Sequence, residues 1–514
     1  MIEKLIGFSL KNRFVVLLAA AGLFGWGLYS VRSSKVDAIP DLSENQVIVF
    51  TEWPGRSPQL IEDQVTYPLV TNLQGLPRVK YVRGSSMFGM SFIYVIFEDD
   101  ADTYWARERV LEKLNYASRL LPAGILPTIG PDGTGVGHVL WYTLKAPGMN
   151  LGDQRAVQDW YIKYALQTVD GVAEIASFGG YRKQYEVTVD PNKLSNFNIS
   201  LSQVAAAIRA NNNEAGGRKF EMNDIGYIIK TGGGYLQSAG EIGNIALESS
   251  NSIPVRIKDV ATVQMTGESR LGIFDLNGEG EAVGGIVVMR YGENAAEVIR
   301  DIKSKMGEVA KGLPDGMEFN IVYDRSGLIR ESVSSIKRTL IEEMIVVSLV
   351  VIFFLFHWRS AASIVIQIPV TIACTFILLN ALDITSNIMS LTGIALAIGV
   401  IVDNGIIMAE NSYKHLSLRS AELKGRRIPA GERLSIIAGA CRQVSRGVFF
   451  STLIIITSFL PVFLLTGQEG KLFHPLAFTK TFIMLVDAVL VLTLAPVIIS
   501  FFMKGKFRSG RPAR

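Results

Sequence analysis

The chain has 514 residues, 49% of them hydrophobic, and a formal net charge of +4. Two cysteines, Cys374 and Cys441, rule out a disulfide framework, and four scattered histidines (His138, His357, His415 and His474) show no zinc spacing. No P-loop or dinucleotide-binding glycine motif is present, so no fingerprint of ATP use is found and no cofactor is expected.

The average composition hides two populations. Residues 33 to about 336 read as a soluble protein, long enough for two or three domains, whereas residues 338–503 are dominated by apolar runs. Six spans are predicted: Phe14–Val31, Leu340–Phe356, Ala361–Leu379, Ile388–Ala409, Val448–Leu465 and Thr481–Phe502. The first follows Lys11 and Arg13 and lacks a small-residue cleavage site, so it reads as an uncleaved anchor rather than a signal peptide.

After it come "VIVFTEW", which alternates like a strand, and the helix pattern "SPQLIEDQVTYPLVTNLQGLP". Strands follow at "RVKYVRGSS" and "SFIYVIFED", then the helix "DTYWARERVLEKLNYASRLLPAG". "HVLWYTLKA", the helix "DQRAVQDWYIKYALQTVDG" and "VAEIASFGG" begin a second round, completed by "EAVGGIVVMRY" and "NAAEVIRDIKSKMGEVAKGLPDG". "LQGLPRVKYV" resembles "LQTVDGVAEI", so two βαββα-type units are expected, the second interrupted near 181–272. Residues 324–356 lack helix breakers beyond Gly327, so the second unit is expected to run rigidly into the second span.

Charge then orients the spans. The loop Asn411–Ala440 carries Lys414, Arg419, Lys424, Arg426, Arg427 and Arg433 against Glu422 and Glu432, and the tail from Lys504 has five basic residues and no acid. Both belong in the cytoplasm, while the turns Ala381–Asn387 and Thr466–Lys480 belong outside. The long segment between the first two spans is then periplasmic in a Gram-negative cell.

Three acids in or directly beside the fourth and sixth spans carry the argument. Asp403, in "GVIVDNGIIMAEN", lies near mid-bilayer, where a carboxylate costs about 2.5–3.5 kcal/mol on insertion scales. Glu410 is seven residues further, on the same helical face, and Met389 is fourteen before it. Gly393, Ala395, Ala397, Gly399 and Gly405 make this helix slim, so the Asp403 face is expected to be interior. Asp403 is then either a structural acid paired with a lysine of another helix or, the favoured reading, a proton-titrating carboxylate; Asp487 in "TFIMLVDAVLVL" is a second candidate. Met389, Met408 and Met484 carry thioethers, soft ligands suited to Cu(I) and Ag(I), although methionine in membrane helices more often only packs.

"AIPDLSENQVIVFTEWPGRSPQLIEDQVTYPL", "VRGSSMFGMSFIYVIFED", "LFHWRSAASIVIQIPV", "NIMSLTGIALAIGVIVDNGIIMAEN" and "LTGQEGKLFHPLAFTKTF" resemble heavy-metal efflux pumps of the resistance–nodulation–cell division (RND) superfamily. The resemblance implies a membrane α-helical bundle of six transmembrane helices plus an α+β periplasmic porter and docking region of ferredoxin-like βαβ repeats. It divides the chain into 1–32 (first span), 33–135 (first porter subdomain), 136–180 with 273–335 (second), 181–272 (inserted docking subdomain), 336–503 (spans two to six) and 504–514 (basic tail).

It further implies an inner-membrane metal-cation/proton antiporter, not an enzyme, with a transported metal cation and no nucleic-acid partner. The assembly would be a trimer with a periplasmic adaptor and an outer-membrane channel. Asp403 matches the family's proton-relay aspartate, and Glu410 its "EN" glutamate. Ala397 stands where Zn, Co and Cd exporters carry an acid, and Met389, Met408 and Met484 match methionines of the Cu(I)/Ag(I) branch, from which Ile401 departs. Family members are about twice as long, so a C-terminal half-pump chain is expected as partner; the alternatives are a protein-export accessory subunit of the same superfamily and an inactive truncated fragment.

Overall fold

The computed structural model describes residues 2–503 except 215, 231–233, 251–252, 271, 356–357 and 424–427. The basic tail, Lys424, Arg426 and Arg427, and the last residue of the second expected span lie outside the described residues.

Two four-stranded antiparallel sheets dominate the α+β part. In the first, strands Val79–Met87, Met90–Phe97, Gln46–Glu52 and Thr128–Ile129 lie side by side in that order. Gln46–Glu52 alternates as the sequence pattern predicts: Val47, Val49 and Thr51 turn inward to meet Ile93, Val95 and Phe97. Two helical stretches cover that face, one burying Ile61, Val65, Leu69 and Leu73, the other Ala106, Val110 and Leu114. The first is started by Ser57, whose hydroxyl accepts from the Leu60 amide, the second by the Asp102 carboxylate at Trp105 N.

The second sheet has the order Glu318–Asp324, Gly133–Lys145, Val283–Arg290, Val172–Gly179. Taken in chain order, both sheets follow one βαββαβ scheme, in which the third strand sits between the first and second and the fourth flanks the first. In the second sheet the chain leaves after Gly179 and returns at Val283. The intervening residues build a ribbon of Lys183–Val189 against Ala261–Gly267 and the smaller pairs Gly216–Met222 with Ile225–Lys230 and Ala246–Ser250 with Ile253–Arg256.

From the second sheet a single helix, Arg325–Leu355, runs without a break. The other long helices are Arg13–Ser33, Trp358–Ala381, Ile388–Glu422, Ala430–Phe459 and Gly467–Phe502. Among the described residues, five helices are long and apolar enough to cross a membrane; Arg325–Leu355, which carries the second expected span, is not one of them. A short helix unforeseen in the sequence, Ile2–Lys11, tucks Ile6 and Leu10 into the bundle core and pairs Glu3 with Arg446 at 2.9 Å.

Two other expectations are corrected. Thr466–Lys480 is no turn: helix begins at Gly467 and continues through Pro475 into the last span. Its polar residues interrupt hydrophobicity, not helical backbone, and Lys471 reaches down to donate to the Ser43 carbonyl at 2.5 Å. The basic loop Asn411–Ala440 is mostly helical, with Ile388–Glu422 extending past the expected span and Ala430 starting the next helix. Close helix contacts depend on glycine at two places. A Cβ on Gly27 would sit on the Ala373 carbonyl, and one on Gly393 would come within 2.8 Å of the Leu476 carbonyl.

The two parts are joined by a strap. Residues after the first long helix pair with the loop before Ile388: Val36 bridges Ser386, Ser386 N donates to Lys35 O, Asp37 N to Ser386 O and Ile388 N to Ala38 O. Asp37 also pairs at 2.8 Å with Arg325, whose side chain is 4% exposed and which donates to the Val136 carbonyl. The strap therefore touches the second sheet, the root of Arg325–Leu355 and the start of Ile388–Glu422 together.

Candidate functional site in the helical bundle

Asp487 is 1% exposed, in the middle of the most apolar of the long helices. Its Oδ1 accepts from Gln367 Nε2 and its Oδ2 from Asn404 Nδ2, each at 2.8 Å. Asn404 Nδ2 also donates to Thr452 Oγ1 at 3.1 Å, and the Thr452 hydroxyl donates back to Val448 O. Four helices thus meet at one carboxyl, each contributing one polar side chain. Amide N–H groups aimed at a carboxylate are charge-assisted, the stronger class of hydrogen bond.

Asp403 lies elsewhere. The buried stripe of Ile388–Glu422 runs through Gly393, Ala397, Ile401, Asn404, Gly405 and Met408, whereas Leu396, Gly399, Asp403, Ile407 and Glu410 form an exposed stripe. The interior placement of Asp403 is therefore corrected within this chain: the small residues fall on two faces, and only Gly393, Ala397 and Gly405 are on the packed one. Asp403 makes no ion pair among the described residues. It shares a stripe with Glu410, about 10 Å along the axis, and neither is hydrogen-bonded to Asp487 among the described residues.

Met408 and Met484 are fully buried in the apolar core of the bundle, while Met389 is half-buried. The sequence reading missed Gln367, Asn404 and Thr452. A signal existed for two of them: an amide inside "IVIQIPV" and another beside Asp403 in "IVDNGII" are buried polar groups that need partners.

Where the strap meets the second sheet there is a cavity of about 460 Å³, lined by Asp37, Asp41, Arg290, Glu293, Lys471 and His474 among others. A cleft of about 370 Å³ beside it shares Thr134, Tyr291 and Lys471 and adds Glu44, Asp99, Asp100, Asp102 and Asp132. The hydrogen bond from Lys80 holds the Asp99 carboxyl below the usual carboxylate range. Among the described residues, no group of three or more His, Cys, Asp or Glu side chains is arranged to hold a metal ion.

Comparison with known proteins places this geometry. The family model described as AcrB/AcrD/AcrF matches residues 5–512. "Cation efflux system protein CusA" of Escherichia coli (strain K12) is 45% identical over 509 residues, which cover 98% of this chain and 48% of that protein. "Putative cation efflux system protein SilA" of Salmonella typhimurium is 44% identical with the same coverage. "Cobalt-zinc-cadmium resistance protein CzcA" of Cupriavidus metallidurans is 33% identical, with 98% of this chain and 48% of that protein covered. A solved structure, "X-ray crystal structure of a heavy metal efflux pump, crystal form I", superposes with a TM-score of 0.84 at 30% identity over 96% of this chain and 48% of that one. The chain spans about half the length of the curated relatives it matches. Its long apolar helices, its paired sheets and its match over nearly every residue agree: the chain belongs to the AcrB/AcrD/AcrF family of RND pumps.

Proposed function

We propose that the chain is the N-terminal half of an inner-membrane heavy-metal cation/proton antiporter, working with a second half of similar length. The observation that carries this is the 45% identity over 509 residues to a cation efflux protein about twice as long. The exposed Asp403 stripe supports it: a carboxylate on an apolar helix face needs a neighbour, and helices of a second half would enclose it. In that enclosure Asp403 would take up and release the coupling proton, with Glu410 a turn or two beyond as a further relay group.

On this reading both sheets are porter subdomains of ferredoxin-like type, 33–135 and 136–180 with 273–335; the shared strand order supports it. Residues 181–272 are the docking subdomain. Arg325–Leu355 supplies the sixth membrane helix, and the α+β part faces the periplasm, where an adaptor, an outer-membrane channel and two further copies of the pump would assemble with it. The acidic cleft and junction cavity would concentrate cations at the mouth of the bundle.

The favoured cargo is Cu(I) or Ag(I). Of the three methionines on the expected path, Met389 is the one whose thioether stays partly open, on the side of the helix bearing Asp403; Met408 and Met484 pack in the core. The match to efflux proteins favours this over a protein-export accessory role. The test is expression in a metal-sensitive strain with and without a chain supplying the second half. Copper or silver tolerance should need both chains, and the two should co-purify. Resistance from the 514-residue chain alone would overturn the half-pump reading.

A further inference from the structure

We propose that Asp487 is a second proton-binding carboxyl, independent of Asp403, which takes its proton on Oδ1 while the Gln367 side-chain amide turns over to accept it. The hydrogen bonds around Asp487 are unequal in a way that permits this. The Thr452 hydroxyl proton is committed to Val448 O, so its oxygen can only accept, and this locks the Asn404 Nδ2 edge toward both Thr452 and Asp487 Oδ2. Gln367 has no such lock. Its Nε2 donates to Oδ1, but its Oε1 is buried with no partner among the described residues, in a residue 1% exposed.

With Asp487 ionised, both amides donate and the arrangement is the one observed. With a proton on Oδ1, the carboxyl becomes a donor there, and Nε2 can no longer face it. A half-turn of the Gln367 amide about its terminal torsion brings Oε1 to the proton, using the carbonyl that was idle. Such terminal sp² torsions are broad and cheap to rotate. The same side chains thus serve either charge state, and one amide records which is present.

Among the described residues, no charged side chain forms a hydrogen bond or ion pair with Asp487. On the packed helices, Asp403 and Glu410 point to the exposed stripe, Arg446 pairs with Glu3, and Lys480 lies over the Phe459 ring. Arg442 lies against Gly7, ten residues before Thr452, and the thiols Cys374 and Cys441 are seven residues from Gln367 and eleven from Thr452. Gln367 and Asn404 are the side chains hydrogen-bonded to Asp487 among the described residues, with Thr452 joined to it through Asn404.

The experiment is pH-difference infrared spectroscopy on the full chain in lipid bilayers. A protonated carboxyl C=O stretch should grow as pH falls, vanish in Asp487→Asn and persist in Asp403→Asn and Glu410→Gln. Gln367→Met keeps Asp487 but removes the accepting carbonyl, and should move the midpoint of that band by at least one pH unit. A wild-type spectrum with no pH-dependent carboxyl band lost in Asp487→Asn overturns the proposal. If Asp487→Asn does not fold, an unchanged midpoint in folded Gln367→Met overturns it equally. Metal resistance is not read, so failure of the Asp403 relay leaves the result intact.

Discussion

Replacing Arg325 with Met should loosen the joint between the bundle and the second sheet, by an amount that depends on pH. The substitution keeps most of the packed stem and removes the charge beside Asp37. Breaking a buried ion pair by deleting one partner costs about 3–5 kcal/mol. The Asp37 side chain retains 18% exposure and accepts the Ala38 amide at 2.6 Å, which places the loss near the lower figure, about 3 kcal/mol. At roughly 2–4 °C per kcal/mol for a large domain, the unfolding midpoint should fall by about 6–12 °C.

Burial already outweighs the attraction of Arg325, so the Asp37 carboxyl sits above its usual range in the folded chain. The folded state therefore holds the proton more tightly than the unfolded one, and stability falls as pH rises through the interval between the two values. Without Arg325 that interval widens upward. The loss in Arg325→Met should thus be small in acid, where Asp37 is neutral, and full near neutrality. Cys374 and Cys441 are both buried, so a thiol-reactive dye during a thermal ramp reports when the bundle opens. Asp37→Asn added to Arg325→Met should recover at least half of the loss. Losses that simply add, or an Arg325→Met deficit equal at both ends of the pH range, would refute this account of the clamp.

Asp403→Asn should abolish metal tolerance in cells carrying both halves while leaving the amount of protein nearly unchanged, because the side chain is exposed in this chain; resistance assays beside membrane immunoblots decide it. Met389→Ile should lower copper or silver tolerance more than zinc or cobalt tolerance, whereas Met484→Ile, in closed core, should change stability by less than about 1.5 kcal/mol and spare metal preference. Gly27→Leu should force the first long helix away from Ala373 and cost about 1–3 kcal/mol, read as a lower midpoint in the same dye assay, with Gly25→Leu, which faces open space, as the neutral control.

The periodic segments were the legible part. Strand alternation at Gln46–Glu52 and helical spacing at Ala295–Val309 mark faces that the sheets bury, because one layer of apolar side chains is enough to declare each face. The bundle was harder to read. A slim helix declares that something packs closely, not on which side, so Gly393 and Gly399 looked equivalent although one meets Leu476 and the other meets nothing within 4 Å. Asp403 attracted notice because a carboxylate among aliphatic residues is conspicuous. Asn404, one position further, is the residue this chain buries, and its partners Thr452 and Asp487 lie 48 and 83 residues after it, a juxtaposition that no local pattern encodes. Helix ends were obscured for a related reason: polar residues end a hydrophobic run without ending a helix, as Gly467–Lys480 shows.

The excursion from the second sheet departs and returns on neighbouring strands: Gly179 and Val283 are already cross-strand partners, and the ribbon beyond them closes with Lys183 opposite Gly267. Everything between is therefore a cassette plugged into one socket at the edge of the sheet. Excising it and rejoining Gly179 to Val283 through a two-residue hairpin would leave the register of the sheet as it stands. Exchanging it for the corresponding stretch of a relative would replace these paired ribbons without altering the strands of the sheet. A pull on the cassette arrives at the strand pair joined at Gly179 and Val283 and, through the ion pairs of Lys183 with Asp153 and Arg182 with Asp159, at the helical stretch that begins at Leu151.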